Sequence, residues 1–348
     1  MPSNTGSPLG ISVVICCYNS SSRLPQTLKH LAKQKITKPN LQWEILVIDN
    51  ASTDNTALVA RNEWEKYKNN APLFIIPQPI PGTGPARDLG IEKANFEFIL
   101  FCDDDNWLAE NYVELAYEIM ISNPHISALG GHANDICEIT PPVWFESLKS
   151  AYAIGGQGPV KHGEISKIRG FIYTAGGVFR KSVLKDIEKK GFIKILTGRT
   201  GKNLNPGEDV ELCYALILTG NKIYYDERMQ FQHFLPKGRL SWAYYKKMKK
   251  GFGNTYPFLM PYKLLINKQK ERFNHGIIWL YVTGLYLIIK NIFFELPLAF
   301  FGKNYYQVRS DLESHFGFIT NLFRHHKKVT NLFEELKIAD WISEEFKP

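Results

Sequence analysis

Three consecutive carboxylates, Asp103-Asp104-Asp105, close the short apolar run Phe98-Ile99-Leu100-Phe101-Cys102. An apolar run of that length, bounded by polar residues, is expected to be a buried strand. In an open α/β sheet ligands bind beyond the carboxyl ends of the strands. Three acidic side chains at such an end repel one another unless a cation neutralises them. Along an extended chain, Asp103 and Asp105 would share one side and Asp104 the other. Two carboxylates on one face suit a hard divalent ion, Mg2+ or Mn2+, which would also bind phosphate oxygens. A solvated acidic turn capping a helix from Trp107 is the other reading of the same residues.

Further carboxylates recur at strand ends. Trp43 to Ile48 reads as a strand ending in Asp49-Asn50-Ala51-Ser52-Thr53-Asp54. Ser52 and Asp54 also suit a helix cap, whereas Asp49 comes directly off the strand. In Gly207-Glu208-Asp209-Val210-Glu211-Leu212 the apolar spacing from Val210 is helical, so Glu208 and Asp209 stand at a helix N-terminus. The helix dipole stabilises negative charge there, and it also keeps a carboxylate ionised as a general base requires. Arg87, near the start of a helix, suits a phosphate or an Asp of the triplet; an exposed helix arginine is the plainer reading. Gly82-Thr83-Gly84 lacks the third glycine and the leading strand of a dinucleotide fingerprint, which excludes an NAD site. His233 lies in a short expected strand, and a lone His is more often structural than a ligand.

The elements around these residues alternate. Ile11 to Cys17 is a β-branched strand, followed by the loop Tyr18-Asn19-Ser20-Ser21-Ser22 and a helix from Leu24 to Lys35. Helices are expected from Thr56 to Tyr67, Ala86 to Ala94 and Trp107 to Ser122, and strands over Leu73–Ile76 and Ile126–Gly131. Pro77 to Pro85 reads as a proline-punctuated loop. The aromatic- and glycine-rich segment from Pro141 through Gly158 reads as a mobile substrate loop or a long connection, and Gly176-Gly177 would let a ligand approach the backbone. Two short strands are expected at 223–226 and 229–234. Strand–helix alternation predicts a doubly wound, mostly parallel α/β sheet.

The chain has 348 residues, 44% of them hydrophobic and 22% charged, as in ordinary globular proteins. Its five cysteines show no C-x-x-C spacing, so reduced thiols in a cytoplasmic protein are expected over a disulfide framework or a zinc site. Met1 to Gly10 is polar, reads as a flexible N-terminus and carries no signal-peptide pattern. The net charge of +8 is uneven: between Lys237 and His275, ten Lys or Arg face one acid, Glu271.

Five segments in order resemble the family-two glycosyltransferases of the GT-A fold: residues 13–19 (VVICCYN), 47–54 (VIDNASTD), 84–90 (GPARDLG), the 103–105 triplet and 207–212 (GEDVEL). The resemblance runs from Ser12 to Arg239. It implies that Tyr18, Asn19, Asp49 and Ser52 line the nucleotide pocket, with Arg87 assisting at the base or phosphates. Asp103 and Asp104 would contact the donor, and Asp105, Asp103 and His233 would serve the metal. Asp209 would deprotonate the acceptor hydroxyl, with Glu208 beside it. One base and one metal, with no enzymic nucleophile, imply a single displacement with inversion. Asp88, where many relatives carry Asn, is a departure.

The expected organisation is therefore a flexible 1–10, a GT-A domain over 11–240, and a helical region over 241–348. In that last region Trp242, Tyr244, Tyr245, Phe252, Tyr256, Phe258 and Tyr262 interleave with lysines. Such a pattern serves nucleic acid or an anionic membrane surface. The uninterrupted apolar run 276–289 is short of the ~20 residues needed to span a bilayer, so it reads as a buried packing helix or as an interfacial or re-entrant membrane helix. The expected partners are a nucleotide-sugar donor, UDP-sugar favoured, and a saccharide or lipid-linked acceptor. Peripheral membrane contact at the cytosolic face is expected, and nucleic acid is not. A nucleotidyltransferase would carry a Gly-rich basic loop after the first strand, and Tyr18 to Ser22 has neither feature. A non-catalytic membrane or nucleic-acid binding protein would leave the carboxylate motifs unexplained.

Overall fold

The structure, a computed structural model, describes residues 7–68, 71–200, 205–300, 302 and 304–348. Residues 1–6 of the expected flexible N-terminus, and 201–204 of the loop before Gly207, lie outside the described residues.

The chain opens with the expected alternation: β1 (Ile11–Cys17), α1 (Leu24–Ala32), β2 (Trp43–Asn50), α2 (Thr56–Trp64), β3 (Leu73–Gln78), α3 (Thr83–Lys93) and β4 (Phe98–Phe101). There follow β5 (Asn106–Leu108), α4 (Tyr112–Ser122), β6 (Ile126–Cys137), the short α5 (Phe145–Leu148), β7 (His162–Glu164), β8 (Val178–Arg180) and α6 (Lys181–Lys189). α7 (Glu208–Leu218) and β9 (Lys222–Leu235) lead into α8 (Trp242–Ile266), α9 (Lys270–Lys290), α10 (Leu296–Ala299), α11 (Tyr305–Arg324) and α12 (His326–Ile338).

The chain divides into two compact units. The first comprises Met1–Ile136, Ala153–Lys189 and Asn221–Phe234. The second comprises Cys137–Tyr152, Lys190–Gly220 and Leu235–Pro348, so it takes 137–152, 190–220 and 235–240 from within the expected 11–240 domain.

In the first unit a mixed, mostly parallel sheet is flanked by helices, in the order β3-β2-β1-β4-β8-β6-β9-β5, with β7 beside β9. β1 to β4 are parallel, and β8 joins β4 antiparallel. Strands covered on both faces read as continuous apolar runs, which is why Ile11–Cys17 and Phe98–Phe101 were legible. Their side chains pack with Leu24, Leu28, Leu31, Tyr112 and Val113 of the helices into one core.

Several expectations are corrected. The stretch from Trp107 does not begin a helix: Asn106–Leu108 pairs with β9, and the helix starts at Tyr112. The two short strands are one, because β9 runs far enough to pair with β7 at Tyr224–Asp226 and with β5 at Phe231–His233. The proline loop is shorter than expected. Pro77 and Gln78 complete β3 beside Asp49 and Asn50, and Pro85 sits in the first turn of α3, where a missing N–H costs nothing. The 155–158 segment is tied down rather than loose. Gly155 N–H donates to Ala133 O at 2.8 Å, and buried Gln157 donates to Gly131 O and accepts from Tyr173 N–H, both at 2.8 Å. Gly176 and Gly177 serve packing, not ligand approach. A Cβ at Gly176 would lie 2.7 Å from the Tyr112 hydroxyl, and one at Gly177 would lie 2.6 Å from Tyr173 O.

The second unit is helical. α8 and α11 cross with their backbones almost touching, since a Cβ at Gly253 would meet Ser314 O at 2.0 Å and one at Gly317 would meet Lys250 O at 2.5 Å. Three of the seven aromatics that interleave with lysines, Tyr245, Phe258 and Tyr262, are buried, and Tyr256 is exposed. Trp242 stacks on Tyr245 at 5.5 Å, Trp144 packs on both, and Phe258 and Tyr262 are buried. A nucleic-acid stacking platform needs exposed rings, and packing takes three of the seven.

Candidate active site

Parallel pairing brings the ends of β1, β2 and β4 to one edge of the sheet, because Cys17 is in register with Asp49 and Phe101 with Val14. The loops that follow β1 and β2 are stitched to each other. Asn19 N–H donates to Ser52 Oγ at 3.1 Å, and Asn19 Oδ1 accepts from Thr53 N–H at 2.8 Å. Ser52 N–H in turn donates to Asp49 Oδ1 at 3.3 Å. Asn19 (φ 49°) and Ala51 (φ 55°) both adopt left-handed backbone, which Asn tolerates better than most residues. Asp54 takes N–H bonds from Ser21 and Thr56 and a hydroxyl bond from Thr56. Burial pushes its carboxyl up, but these donors outweigh it and hold Asp54 at about 2. Of the two cap candidates, it is Asp54 that engages the start of α2. Tyr18 leaves half of its ring exposed at this edge.

The triplet is a turn, not an extended strand: Asn106 N–H donates to Asp103 O at 3.0 Å, and Asp103 N–H donates to Asn106 Oδ1 at 3.1 Å. Strict alternation of the three carboxylates therefore does not apply. Asp104 turns inward to Arg23, which donates at 2.6 Å, while the Thr27 hydroxyl donates to Asp104 O at 2.8 Å. Burial, with the Asp105 charge beside it, raises the Asp104 carboxyl to about 6 against the opposing pull of Arg23. Asp105 is buried, and its Oδ1 lies 3.5 Å from Nε2 of His233, which is also buried. The β5–β9 register sets Asn106 opposite His233, and Phe234 N–H donates to Asp105 O at 2.9 Å. Trp107, next in chain to Asn106, stacks on Phe234 at 5.5 Å. Arg87, on α3, stands over the Phe101 ring at 5.8 Å.

A carboxylate oxygen and an imidazole nitrogen this close are a usable part of a divalent-metal shell. Among the described residues no group of three or more His, Cys, Asp or Glu side chains forms a complete one. The pair fits a metal that takes its remaining oxygens from phosphate and water, the usual habit of Mg2+ and Mn2+.

Glu208 and Asp209 lie in the second unit, in the first turn of α7 as expected. Gly207 precedes them with φ 109°, a conformation that L side chains rarely adopt, and Asp209 Oδ1 accepts from Val210 N–H at 2.9 Å. The third acid of that motif, Glu211, is fully buried.

Two residues escaped the sequence reading. Arg23 carries no local pattern, since its partner Asp104 is 81 positions away. Glu211 had a signal: it stands one helical turn after Glu208 among apolar residues, the mark of an inward-facing acid.

Residues 12–187 match the family model described as "Glycosyl transferase family 2". The chain belongs to this family of glycosyltransferases. It is 24% identical over 293 residues to the poly-beta-1,6-N-acetyl-D-glucosamine synthase of Staphylococcus aureus, an alignment covering 80% of this chain and 64% of that protein. The synthase of the same name from Staphylococcus epidermidis is 26% identical over 246 residues, covering 67% of this chain and 54% of that protein. The chain thus spans less than two thirds of the length of these relatives. Among solved structures, S. aureus TarS 1-349 in complex with UDP-GlcNAc superposes with a TM-score of 0.52 at 16% identity, covering 91% of this chain and 92% of that one. The same protein in complex with UDP gives 0.50 at 15% identity, with the same coverage. At these identities the likeness is one of fold.

Proposed function

We propose that this chain transfers a sugar from a UDP-sugar to a saccharide or lipid-linked saccharide in surface polysaccharide synthesis, with inversion at the anomeric carbon. The observation that carries this reading is the convergence of the Asn19–Ser52 loops and the Asp105–His233 pair at one sheet edge. The TarS complexes with UDP and UDP-GlcNAc support the donor class, and the relatives named as polysaccharide synthases support the polysaccharide product. The 11–240 stretch is proposed as the transferase portion, and 241–348 as the region that brings it to the cytosolic face of a membrane.

In this reading Tyr18 stacks on the base, while Asn19, Asp49 and Ser52 line the base and ribose. Arg87 assists at the base or phosphates, and Asp103 meets the ribose or sugar. Asp104 acts from below, holding the turn through Arg23. Asp105 and His233 would hold a divalent ion, which when bound offsets negative charge on the departing diphosphate. An imidazole beside a carboxylate favours Mn2+ over Mg2+. Asp209 takes the proton from the acceptor hydroxyl as it attacks, and Glu208 orients the acceptor.

Transfer from UDP-GlcNAc, followed as UDP release in the presence of acceptor, tests this directly. Asp209→Asn should lower turnover by roughly 10²–10⁴-fold, the usual worth of a general base, with UDP affinity retained. Full turnover in that variant would remove Asp209 from the mechanism.

A further inference from the structure

The outward face of α9 is apolar, the reverse of a helix whose outer side meets water. Ile278, Val282, Leu285, Ile289 and Phe293 recur at helical spacing, and each is between 42% and 69% exposed. From Phe273 to Ile289 the chain carries no Lys, Arg, Asp or Glu. By length and composition, Lys270–Ala299 could cross a membrane. Its opposite side, however, is occupied by neighbours from the same unit. Phe273 packs on Phe333 at 5.1 Å, Leu280 is buried, and a Cβ at Gly284 would lie 2.8 Å from Phe318. Those neighbours, α11 and α12, carry Arg309, Asp311, Glu313, Glu334 and Glu335, so they are unsuited to hydrocarbon. Lipid can reach only one side of α9.

The edge of the stripe is basic. Tyr281 packs on Phe323 at 4.9 Å, and its hydroxyl lies 3.0 Å from Nδ1 of His326. His326 sits in Arg324-His325-His326-Lys327-Lys328, at the corner between α11 and α12, and Arg324, Lys327 and Lys328 are exposed. No acid occurs from Ser314 to Phe333. Phe323 itself is 67% exposed there. Apolar stripe and cationic corner together have the chemistry of an anionic lipid surface.

We infer that α9, with Phe323 and the basic α11–α12 corner, is a monotopic membrane-binding face that lies in the plane of an anionic bilayer without crossing it. This assigns a surface and a geometry to the membrane contact proposed above, and it does not depend on the transfer chemistry. A second copy of the chain is the rival occupant, and it would not need the basic corner.

The test is sedimentation of the full chain with vesicles of phosphatidylcholine containing phosphatidylglycerol, compared with phosphatidylcholine alone. We expect binding to the anionic vesicles, weakened by salt and released by alkaline carbonate. The double variant Leu285→Asp/Ile289→Asp and the pair Lys327→Glu/Lys328→Glu should each lower partitioning by at least ~10-fold, in line with the two components of interfacial binding. Both variants should keep the wild-type thermal shift with UDP, which shows that they fold. Absence of binding, unchanged binding in the variants, or carbonate-resistant insertion would each overturn the inference. So would a solution dimer that the Leu285→Asp/Ile289→Asp variant dissociates while vesicle binding persists. Vesicle binding without any UDP response would instead overturn the transferase reading and leave this face standing.

Discussion

The Tyr262 hydroxyl donates to the Glu211 carboxylate at 3.1 Å, joining positions 51 apart in the chain. Glu211 also accepts from the backbone N–H groups of Ile195, at 3.0 and 3.1 Å to its two oxygens, and of Leu196 at 2.8 Å. Three donors converge on one buried acid two residues after Asp209. They tie the first turn of α7 to the 195–196 backbone and to α8, which fixes where that turn begins.

Burial pushes the Glu211 carboxyl up, the N–H and hydroxyl donors pull it back, and it comes to about 7 against an ordinary 4.5. The folded chain therefore holds this proton more tightly than the unfolded chain. Its contribution is fully present below about pH 4.5 and is lost as the pH rises through about 7. The change is on the order of 3 kcal/mol. Urea midpoints measured across that window should fall with pH for the wild type and fall much less for Glu211→Gln. Glu211→Ala, which leaves buried donors unsatisfied, should cost about 2–4 kcal/mol at low pH and less as the pH rises through about 7.

Asn19 joins two loops and adopts φ 49°, so replacing it removes bonds and adds strain together. Asn19→Ala should destabilise by about 1–2 kcal/mol through the left-handed backbone and the lost hydrogen bonds. Because the loops it joins are those assigned to the nucleotide, KM for the donor should rise several-fold while kcat changes less. Steady-state kinetics against UDP-GlcNAc separate the two effects. Asn19→Gly relieves the strain alone and should recover part of the stability but not the KM.

Gly253 faces the backbone of α11, not a flexible side chain, so an added methyl has no room. Gly253→Ala should separate α8 from α11 and destabilise the second unit by about 1–3 kcal/mol, the usual cost of overpacking. Gly302→Ala, where the nearest atom to a new Cβ is 3.6 Å away, should be close to neutral. Guanidinium unfolding of the two variants provides the comparison.

Much of the transferase half could be read directly from the sequence, because parallel strands covered on both faces announce themselves as apolar runs. Ile11–Cys17 and Phe98–Phe101 needed nothing more. The sheet edge followed from those strands, and with it the grouping of Asn19, Asp49 and the triplet. Distant pairing was hidden. Trp107 looked like a helix start because nothing local shows that Asn106–Leu108 pairs with residues 231–233. The triplet looked extended because the turn is set by Asn106 and by Arg23, whose roles are tertiary. Glycines 176 and 177 are ambiguous for the same reason: a missing side chain makes room for either a ligand or a neighbouring Tyr112, and only the fold decides. The lysines and aromatics of α8 form a pattern in sequence, yet the helix sends Tyr245 and Tyr262 to the core and leaves Lys247 and Lys250 to solvent.

The central claim is that the edge holding Asp105 and His233 binds a uridine diphosphate through a divalent ion. Thermal shift of the full chain with UDP, GDP, CMP and TDP, each with and without Mn2+, tests it most directly. UDP with Mn2+ should raise Tm the most, and ligand at 100-fold its Kd adds about 2.7 kcal/mol of stability. Asp105→Ala and His233→Ala should each abolish the Mn2+-dependent part of that shift. No shift with any of the four nucleotides, or a UDP shift indifferent to Mn2+ and unchanged in Asp105→Ala, would contradict the account.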